Sequence, residues 1–508
     1  MPKVLISDKL SPAAVEIFRR RGIEVDVKPG LSPADLRAII GDYDGLAIRS
    51  ATKVTRELLD AATNLKVVGR AGIGVDNVDV RSATARGVVV MNTPLGNTIT
   101  TAEHAIAMMF ALARQIPEAS ASTKAGKWEK NRFMGVELTA KTLGLVGCGN
   151  IGSIVADRAV ALKMKVVAYD PYLSEKRALE LGVEKVELDD LLARADFITL
   201  HTPLTDATRN ILSREALAKT RKGVRIINCA RGGLVDEAAL AEAIQSGHVA
   251  GAALDVFETE PATESPLFAL DNVVCTPHLG AATAEAQENV ALQVAEQMSD
   301  FLIAGAVTNA INMPSVSAED APRLKPYMAL CRQLGAFAGQ LTQAKEGVIR
   351  RVTIEYEGQV AGLNIRPLTA AVLAGLMSPL MEGINMVNAS VAARDHGIDV
   401  AETVHDRLAG TLFAGSRPRI VEIKGIRVEA DFAPHMLYVT NQDKPGFIGR
   451  FGATLAGAGI NIATFHLGRA EEGGDAICLV SVDEKVPEEV LAMVRTLPLV
   501  MQATTLAF

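Results

Sequence analysis

The chain of 508 residues carries a net charge of −7, and 49% of its residues are hydrophobic. This length is enough for about three or four domains, and no apolar run reaches the roughly 18 residues of a membrane-spanning helix. No basic block is present and the N-terminus shows a strand pattern instead of a signal peptide, so we expect neither nucleic acid nor a membrane as a partner. The five widely spaced cysteines form neither a metal-binding pattern nor a disulfide framework, which favours a cytoplasmic protein without a bound metal.

The first hundred residues alternate short strand patterns with helical patterns. Strands are predicted at 4–7, 23–27, 45–48, 65–68 and 88–91, and helices at 13–20 and 33–40. This alternation predicts an open, parallel α/β sheet. A long apolar helix over 101–114 is predicted to lead out of this region.

A glycine-rich turn follows the next predicted strand, 142–146. Its glycines are Gly147, Gly149 and Gly152. In this pattern the first glycine permits a tight turn, the second lets the backbone approach a pyrophosphate, and the third lets helix and strand pack closely. The N-terminus of the following helix offers unpaired N–H groups to the phosphates. The next strand ends at Asp170. Its carboxylate would accept hydrogen bonds from the ribose hydroxyls and would repel a 2′-phosphate. The unit therefore predicts a site for NAD.

Three charged residues follow later strands of this second set. The remaining strands are predicted at 166–169, 197–200, 225–228, 250–256 and 273–275, which makes a sheet of six strands. Arg231, Glu260 and His278 lie at the carboxyl ends of these strands, where open α/β sheets bind ligands. A histidine can accept a hydroxyl proton, a neighbouring carboxylate orients the imidazole and raises its pKa, and an arginine can hold a substrate carboxylate. This order predicts hydride transfer from a hydroxy acid.

The pattern after residue 283 predicts that the chain returns to the first sheet and then forms two further domains. A helix over 284–304 could carry the chain back, and the composition of 305–326 is typical of a linker. Strands are then predicted at 351–356, 420–423 and 427–431, with helices at 368–376 and 385–396. The last 75 residues alternate as strand, helix, strand, strand, helix and strand, which predicts a small ferredoxin-like sandwich.

Several of these segments resemble the D-2-hydroxyacid dehydrogenase family, and within it the long-form D-3-phosphoglycerate dehydrogenases. The segments that carry the resemblance are 70–79, 147–152, 228–233, 253–261 and 277–281, with 443–446 and 459–462 similar to an ACT regulatory domain. The resemblance implies two Rossmann-like, doubly wound α/β lobes, an α+β intervening domain and a ferredoxin-like ACT domain. The implied divisions are a discontinuous substrate-binding lobe of 1–100 with 282–312, an NAD-binding domain of 101–281, an intervening domain of 315–430 and an ACT domain of 434–508.

The resemblance also implies an activity and roles for residues. It implies NAD-dependent oxidation of D-3-phosphoglycerate to 3-phosphohydroxypyruvate, the first step of L-serine biosynthesis. In the family pattern His278 is the acid/base, Glu260 is its partner and Arg231 anchors the substrate. The implied NAD contacts are Gly147, Gly149, Asn150, Ile151, Gly152, Asp170, Thr202, Cys229, Ala230, Asp255 and Gly280.

The substrate and effector residues complete the implied site. The substrate carboxylate would be held by Gly72, Ile73, Gly74 and Asn97, and the candidate cations for its phosphate are Arg49, Arg70 and Arg132. The alternative for the basic stretch 127–132 is a solvated loop. The effector candidates are Asn441, Asp443 and Asn461, which lie where ACT domains bind an amino acid, here expected to be L-serine, between the subunits of a homo-oligomer. Strongly serine-inhibited short-form enzymes carry a histidine at the position of Asn441, so inhibition by serine stays open.

Two other functions also stay open. The first is another D-2-hydroxyacid dehydrogenase, acting on glyoxylate or hydroxypyruvate, which would share the catalytic trio but would need neither phosphate-binding cations nor a regulatory domain. The second is a non-catalytic NAD-sensing protein, because a fold does not determine a function. Turnover of NAD would separate the sensor from both enzymes.

Overall fold

The computed structural model describes residues 1–317, 319–344, 349–356, 358–400 and 408–508. The chain divides into two compact units. One consists of Met1–Asn92 and Val294–Phe508, and the other of Thr93–Gln293. Among the described helices, none combines the length and the apolar character needed to cross a membrane.

The first unit begins with a parallel sheet of five strands. The strands are β1 (Lys3–Ile6), β2 (Glu24–Val27), β3 (Gly45–Ile48), β4 (Val67–Arg70) and β5 (Val89–Met91), and the helices are α1 (Pro12–Arg20), α2 (Pro33–Ile39), α3 (Arg56–Ala61) and α4 (Val80–Ala85). The order of the strands is β2-β1-β3-β4-β5, and every pairing is parallel. Leu5, Leu46 and Val68 belong to a buried aliphatic cluster in this part of the unit. The predicted parallel α/β sheet is confirmed.

Polar side chains begin the helices of this sheet. Ser11, Ser32, Thr55 and Asp79 precede the four helices, and the side chain of each accepts a hydrogen bond from a backbone N–H of the first turn. Such caps satisfy donors that have no partner inside the helix. The helix boundaries are therefore set locally by the sequence.

The second unit contains a parallel sheet of seven strands. Its strands are β6 (Thr142–Val146), β7 (Lys165–Tyr169), β8 (Glu184–Lys185), β9 (Phe197–Leu200), β10 (Val224–Asn228), β11 (Val249–Leu254) and β12 (Val273–Cys275). The helices are α5 (Thr98–Arg114), α6 (Ile116–Lys124), α7 (Asn150–Ala161), α8 (Glu175–Leu181), α9 (Leu188–Arg194), α10 (Arg214–Lys219), α11 (Glu237–Gln245) and α12 (Ala284–Ala304), the last of which runs past the end of the unit. The strand order is β12-β11-β10-β9-β6-β7-β8, so the order reverses between β6 and β9. Ligands of such sheets bind at this reversal.

The seventh strand corrects the predicted count of six. β8 has two residues, Glu184 and Lys185, which pair with Val167 and Ala168 at the edge of the sheet. A charged pair at a sheet edge has no apolar alternation, so no strand pattern marks it in the sequence.

The last part of α12 belongs to the first unit and packs on its sheet. Val294 and Met298 lie against Gly69 of β4, where a Cβ atom would overlap both side chains. Arg21 forms ion pairs with Glu296 and Asp300. These contacts confirm that the first lobe is discontinuous in sequence.

The first unit continues with a helical pair and two small sheets. Its elements are α13 (Ala321–Ala344), β13 (Arg351–Val352), α14 (Arg366–Met377), α15 (Ala389–Asp395), β14 (Asp399–Val400), β15 (Leu408–Phe413), β16 (Arg417–Ile423) and β17 (Ile426–Asp431). Gly335 and Gly339 of α13 and Gly375 of α14 let the two helices approach closely, because a Cβ atom at each would overlap backbone of the other helix. The predicted linker at 305–326 is wrong beyond Ala321, where α13 begins and continues through Pro326.

The C-terminal region is a four-stranded antiparallel sheet with two helices. Its elements are β18 (His435–Gln442), α16 (Phe447–Gly457), β19 (Ile462–Arg469), β20 (Asp475–Val482), α17 (Glu488–Arg495) and β21 (Val500–Ala507). The strand order is β19-β20-β18-β21. Leu437, Phe451 and Val480 form part of one buried cluster that includes residues of the sheet and of both helices. The predicted ferredoxin-like order of elements is confirmed.

Candidate active site

The glycine-rich turn joins β6 to α7 at the reversal of the strand order. Gly147 has φ +91°, and a Cβ atom there would lie 2.6 Å from the carbonyl oxygen of His201. A Cβ atom at Gly152 would overlap the carbonyl oxygen of Gly147. At Gly149, by contrast, a Cβ atom would meet nothing within 4 Å. The packing of the protein therefore requires Gly147 and Gly152. Gly149, by contrast, leaves open space beside the N-terminus of α7, as a bound pyrophosphate requires.

Asp170 lies immediately after β7 and braces this turn. Its carboxylate accepts hydrogen bonds from the amides of Cys148 and Tyr172, both at 2.8 Å. A pocket of about 230 Å³ adjoins it. The pocket is lined by Tyr169, Asp170, Pro171, Lys185, Val186 and Glu187. The Asp170 carboxylate therefore fits the ribose of a dinucleotide, and the open turn fits its pyrophosphate.

His278 and Glu260 form a direct pair. His278 Nδ1 lies 2.6 Å from Glu260 Oε2, and the amide of Phe257 donates to Glu260 Oε1 at 3.1 Å. The hydrogen bond to Glu260 raises the pKa of His278, although burial acts in the opposite direction. Burial disfavours the charged form of Glu260, but the hydrogen bonds from His278 and from the Phe257 amide prevail and lower its pKa. The carboxylate thus orients the ring and stabilises the imidazolium.

Arg231 is held in a turn that follows β10. The Asn228 side chain accepts from the amide of Ala230 at 3.1 Å and donates to the carbonyl oxygen of Arg231 at 2.9 Å. The next residue, Gly232, packs so closely that a Cβ atom would overlap the carbonyl group of Phe257. This approach brings the turn beside the loop of Glu260, and the charge of Arg231 acts on His278 to lower its pKa. The structure therefore brings the predicted trio together.

Asp255, a predicted NAD contact, is enclosed beside the loop of His278. Its side chain has no exposed surface. Its carboxylate accepts from Thr276 Oγ1 at 2.5 Å and from the amides of Leu279 and Gly280 at 2.7 and 2.8 Å. The carbonyl oxygen of Gly280 in turn accepts from Thr101 Oγ1. Asp255 and Gly280 therefore support the loop of His278, and their contact with NAD stays a prediction.

The other predicted NAD contacts flank the same strand ends. Asn150 is exposed at the start of α7, and Ile151, Thr202 and Ala230 are half-buried. Cys229 is buried, and burial raises the pKa of its thiol strongly. Burial likewise raises the pKa of Cys148 to about 11, which disfavours the reactive thiolate at this position. Among the described residues, no group of His, Cys, Asp and Glu is arranged to hold a metal ion.

In the first unit, the loop of Arg49 is fixed from two sides. The buried Asp8 carboxylate accepts from the amides of Arg49 and Thr52 at 2.6 and 3.2 Å. The side-chain amide of Asn77 donates to the carbonyl oxygens of Arg49 and Thr52, both at 2.7 Å. No pattern marks Asp8 as a support, whereas Asn77 lies inside the segment 70–79 that carries the family resemblance.

The predicted carboxylate-binding segment 72–74 follows β4. Gly72 has φ +144°, and the Arg70 guanidinium packs over it so closely that a Cβ atom would overlap Nη1. The Asn92 side chain donates to the carbonyl oxygen of Ile73 at 2.6 Å. Arg70 and the segment 72–74, which Gly74 completes, therefore lie beside each other at one strand end.

Two further predicted substrate residues lie in the second unit. Asn97 is 8% exposed, and its buried Oδ1 has no hydrogen-bond partner among the residues that the structure describes. Arg132 is exposed and lies 3.3 Å from Glu129 and 3.9 Å from Asp271. The charge of Arg132 is therefore already partly balanced, which favours the solvated-loop alternative for this stretch.

The predicted effector residues have separate partners within the chain. Asp443 pairs with Arg469 at 2.9 Å, and Asn461 donates to Asp483 at 2.6 Å. Asn441 is only 2% exposed, and its side chain donates to the carbonyl oxygen of Gln442, so its role as an effector contact stays a prediction. A residue enclosed in this way has almost no surface to offer a ligand.

Known proteins are similar to this chain over nearly its whole length. Residues 106–280 match the NAD binding domain of D-isomer specific 2-hydroxyacid dehydrogenases, 323–408 the D-3-phosphoglycerate dehydrogenase intervening domain, and 435–498 the ACT domain. A D-3-phosphoglycerate dehydrogenase of Synechocystis is 43% identical, with 99% of this chain and 94% of the relative covered. That of Bacillus subtilis is also 43% identical, with 98% of each covered. The chain belongs to the D-3-phosphoglycerate dehydrogenase family. It is therefore an NAD-dependent oxidoreductase of the D-2-hydroxyacid dehydrogenase class.

Solved structures of this class match the dehydrogenase part. A glyoxylate reductase from Paecilomyes thermophila is 31% identical, with a TM-score of 0.58, and covers 61% of this chain and 98% of its own. A D-lactate dehydrogenase from Aquifex aeolicus, in complex with NAD and lactic acid, is 27% identical, with a TM-score of 0.55, and covers 62% and 100%. These matches agree with the two doubly wound lobes and with NAD as the cofactor.

Proposed function

We propose that this chain oxidises D-3-phosphoglycerate to 3-phosphohydroxypyruvate with NAD, the first step of L-serine biosynthesis. The observation that carries the proposal is the full-length similarity to D-3-phosphoglycerate dehydrogenases, together with the 2.6 Å His278–Glu260 pair in the NAD-binding unit. Bound NAD would accept the hydride that leaves the carbon bearing the substrate hydroxyl.

The protein supplies the acid/base chemistry. His278 uses Nδ1 for Glu260, so its Nε2 is the atom that would take the hydroxyl proton. The resulting imidazolium is stabilised by the Glu260 carboxylate, and the same proton would return to the carbonyl oxygen in the reverse reaction. The Arg231 guanidinium would hold the substrate carboxylate in a bidentate geometry.

The cofactor would occupy the turn between β6 and α7. Gly149 and Asn150 would donate amides to the pyrophosphate, and Asp170 would accept the ribose hydroxyls. The open space at Gly149 and the bracing of the turn by Asp170 support this placement. Asp170 is also the residue that would exclude the 2′-phosphate of NADP.

The substrate phosphate would be bound by Arg49 and Arg70. The Arg49 loop is held by Asp8 and Asn77, so its conformation is set before a ligand binds. Preorganisation of this kind lowers the cost of binding. The amides of 72–74 would hold the carboxylate, with Asn97 as a further contact.

We further propose the four-domain division given above, a homo-oligomer, and an ACT domain that binds L-serine between subunits through Asp443 and Asn461. The ACT family match and the exposed apolar side chains of Ile99, Phe110 and Ile116 support these proposals. A reduced, cytoplasmic setting fits the five free thiols.

The function is tested by NADH formation with D-3-phosphoglycerate, beside D-glycerate and D-lactate, with His278→Ala as the control. We expect oxidation of the phosphorylated acid and loss of activity in the variant. Oxidation of only the unphosphorylated acids would instead indicate a general D-2-hydroxyacid dehydrogenase and would overturn the phosphate site.

A further inference from the structure

A histidine of α5 faces the buried carboxylate that supports the His278 loop. His104 Nε2 lies 3.2 Å from Asp255 Oδ1 and 3.3 Å from Thr276 Oγ1. The Asp255 side chain is fully enclosed, whereas that of His104 is 20% exposed. His104 therefore reaches from the helix into the hydrogen-bond network below the active site.

Asp255 holds the residues on both sides of His278. It accepts hydrogen bonds from Thr276, which precedes the histidine, and from the amides of Leu279 and Gly280, which follow it. A carboxylate without exposed surface is favourable only when donors surround it. His104 contacts this network from outside the loop, through Asp255 Oδ1 and Thr276 Oγ1, so it ties the loop to α5.

The conformation of His278 makes such support necessary. Its φ is +56°, in the left-handed region that residues other than glycine seldom adopt. A backbone of this kind persists only where the surrounding structure holds it. α5 contributes a second bond, because Thr101 Oγ1 donates to the carbonyl oxygen of Gly280 at 3.0 Å.

We propose that His104 is a positioning residue for the oxidation step. Its contacts with Asp255 and Thr276 fix the loop 276–280 and thereby the direction in which His278 presents Nε2 to the substrate hydroxyl. The inference rests on the proposed function, since it requires His278 to take the proton. It predicts a loss of kcat with little change in KM, because His104 would act through the loop of His278 and not on substrate or cofactor directly.

The test compares His104→Leu and His104→Gln with His248→Leu in the full-length protein. His248 is a matched control, because its Nε2 lies 3.1 Å from Thr220 Oγ1 and 3.0 Å from the Leu217 carbonyl oxygen in the same unit. In steady-state kinetics we expect kcat to fall about tenfold in His104→Leu, equivalent to about 1.4 kcal/mol in the barrier. KM for NAD and for the acid should change less than twofold. His104→Gln, which keeps an N–H donor, should recover most of kcat.

Three outcomes would overturn the proposal: an unchanged kcat in His104→Leu, an equal loss in His248→Leu, or a further loss when His104→Leu is added to His278→Gln. Residues that act through one another are not additive, so the double variant should be no slower than His278→Gln. If His104→Leu does not fold, Thr276→Val, which removes a hydroxyl from the same network, should show the same fall in kcat. A wild type that oxidises only unphosphorylated acids would refute the substrate proposal, and the His104 comparison would then use the acid that it oxidises fastest.

Discussion

The catalytic corner of the second unit and the candidate effector region of the ACT domain use polar residues in different ways. In the catalytic corner, His278 and Glu260 come from separate loops and bond to each other, while Arg231 acts on the same histidine. In the ACT domain, Asp443 and Asn461 each bond to a partner of their own. The first arrangement is a site assembled by one chain.

The difference teaches how completely each site is built by a single chain. Catalysis needs groups that are already directed at one another, because their orientation must precede the reaction. The ACT residues are satisfied locally and would have to exchange partners to bind an amino acid. This contrast supports our proposal that a neighbouring subunit completes the effector site.

Replacing the central residue of the catalytic corner should have the largest effect. We expect His278→Gln to lower kcat by about 10²- to 10⁴-fold, the usual contribution of a general acid/base. NAD affinity, measured by fluorescence titration, should stay unchanged. Activity within tenfold of the wild type would show that another group takes the proton.

Removing the charge of Glu260 should have the next largest effect. Glu260→Gln loses a charge-assisted hydrogen bond worth about 1.5–3 kcal/mol, so we expect oxidation to slow by roughly 10- to 100-fold. Glu260 raises the pKa of His278, so this pKa should fall in the variant. Oxidation needs the neutral imidazole, and the acidic limb of kcat/KM should therefore move to lower pH. Glu258→Gln is the matched control. An equal shift of the acidic limb in this variant would show that Glu260 is not the specific partner of His278.

A test in the first unit extends the comparison to the Arg49 loop, which is also held by residues from separate parts of the chain, Asp8 and Asn77. Asn77→Ala removes two donors, each worth about 1 kcal/mol, so we expect KM for D-3-phosphoglycerate to rise about five- to tenfold. KM for NAD should not change. The control is Asn64→Ala, which removes a similar bond to the Gly41 carbonyl oxygen. Equal effects of the two variants would exclude a specific role for the Arg49 loop.

The smallest effect is expected in the ACT domain. If L-serine binds there, Asp443→Asn should remove its inhibition of NADH formation without changing the uninhibited rate. Glu488→Gln provides the control, because Glu488 forms a comparable exposed ion pair with Arg495 in the same domain. Serine inhibition that survives in Asp443→Asn would place the effector elsewhere.

Much of the fold could be predicted because the relevant signals are local. The Rossmann turn, the two parallel sheets and the C-terminal order of elements depend on glycines, apolar periodicity and helix caps. The failures have local causes too. The edge strand at Glu184 and Lys185 has no apolar alternation, and the prolines at 322 and 326 are typical of a linker although α13 includes both.

The site residues show the same division. Arg231, Glu260 and His278 could be chosen because strand ends mark the binding edge of such a sheet. Asp255 and Asn441 could be chosen by family resemblance, but their burial depends on what packs around them.

The sequence by itself determined the family, the cofactor and the order of the elements, because these are encoded in short contiguous segments. Only the tertiary structure decided that Asp255 supports the loop of His278 and that His104 reaches this loop from α5. Asp255 and His104 are separated by some 150 positions along the chain. Their meeting is decided by the packing of a helix against strand ends, which no local pattern contains.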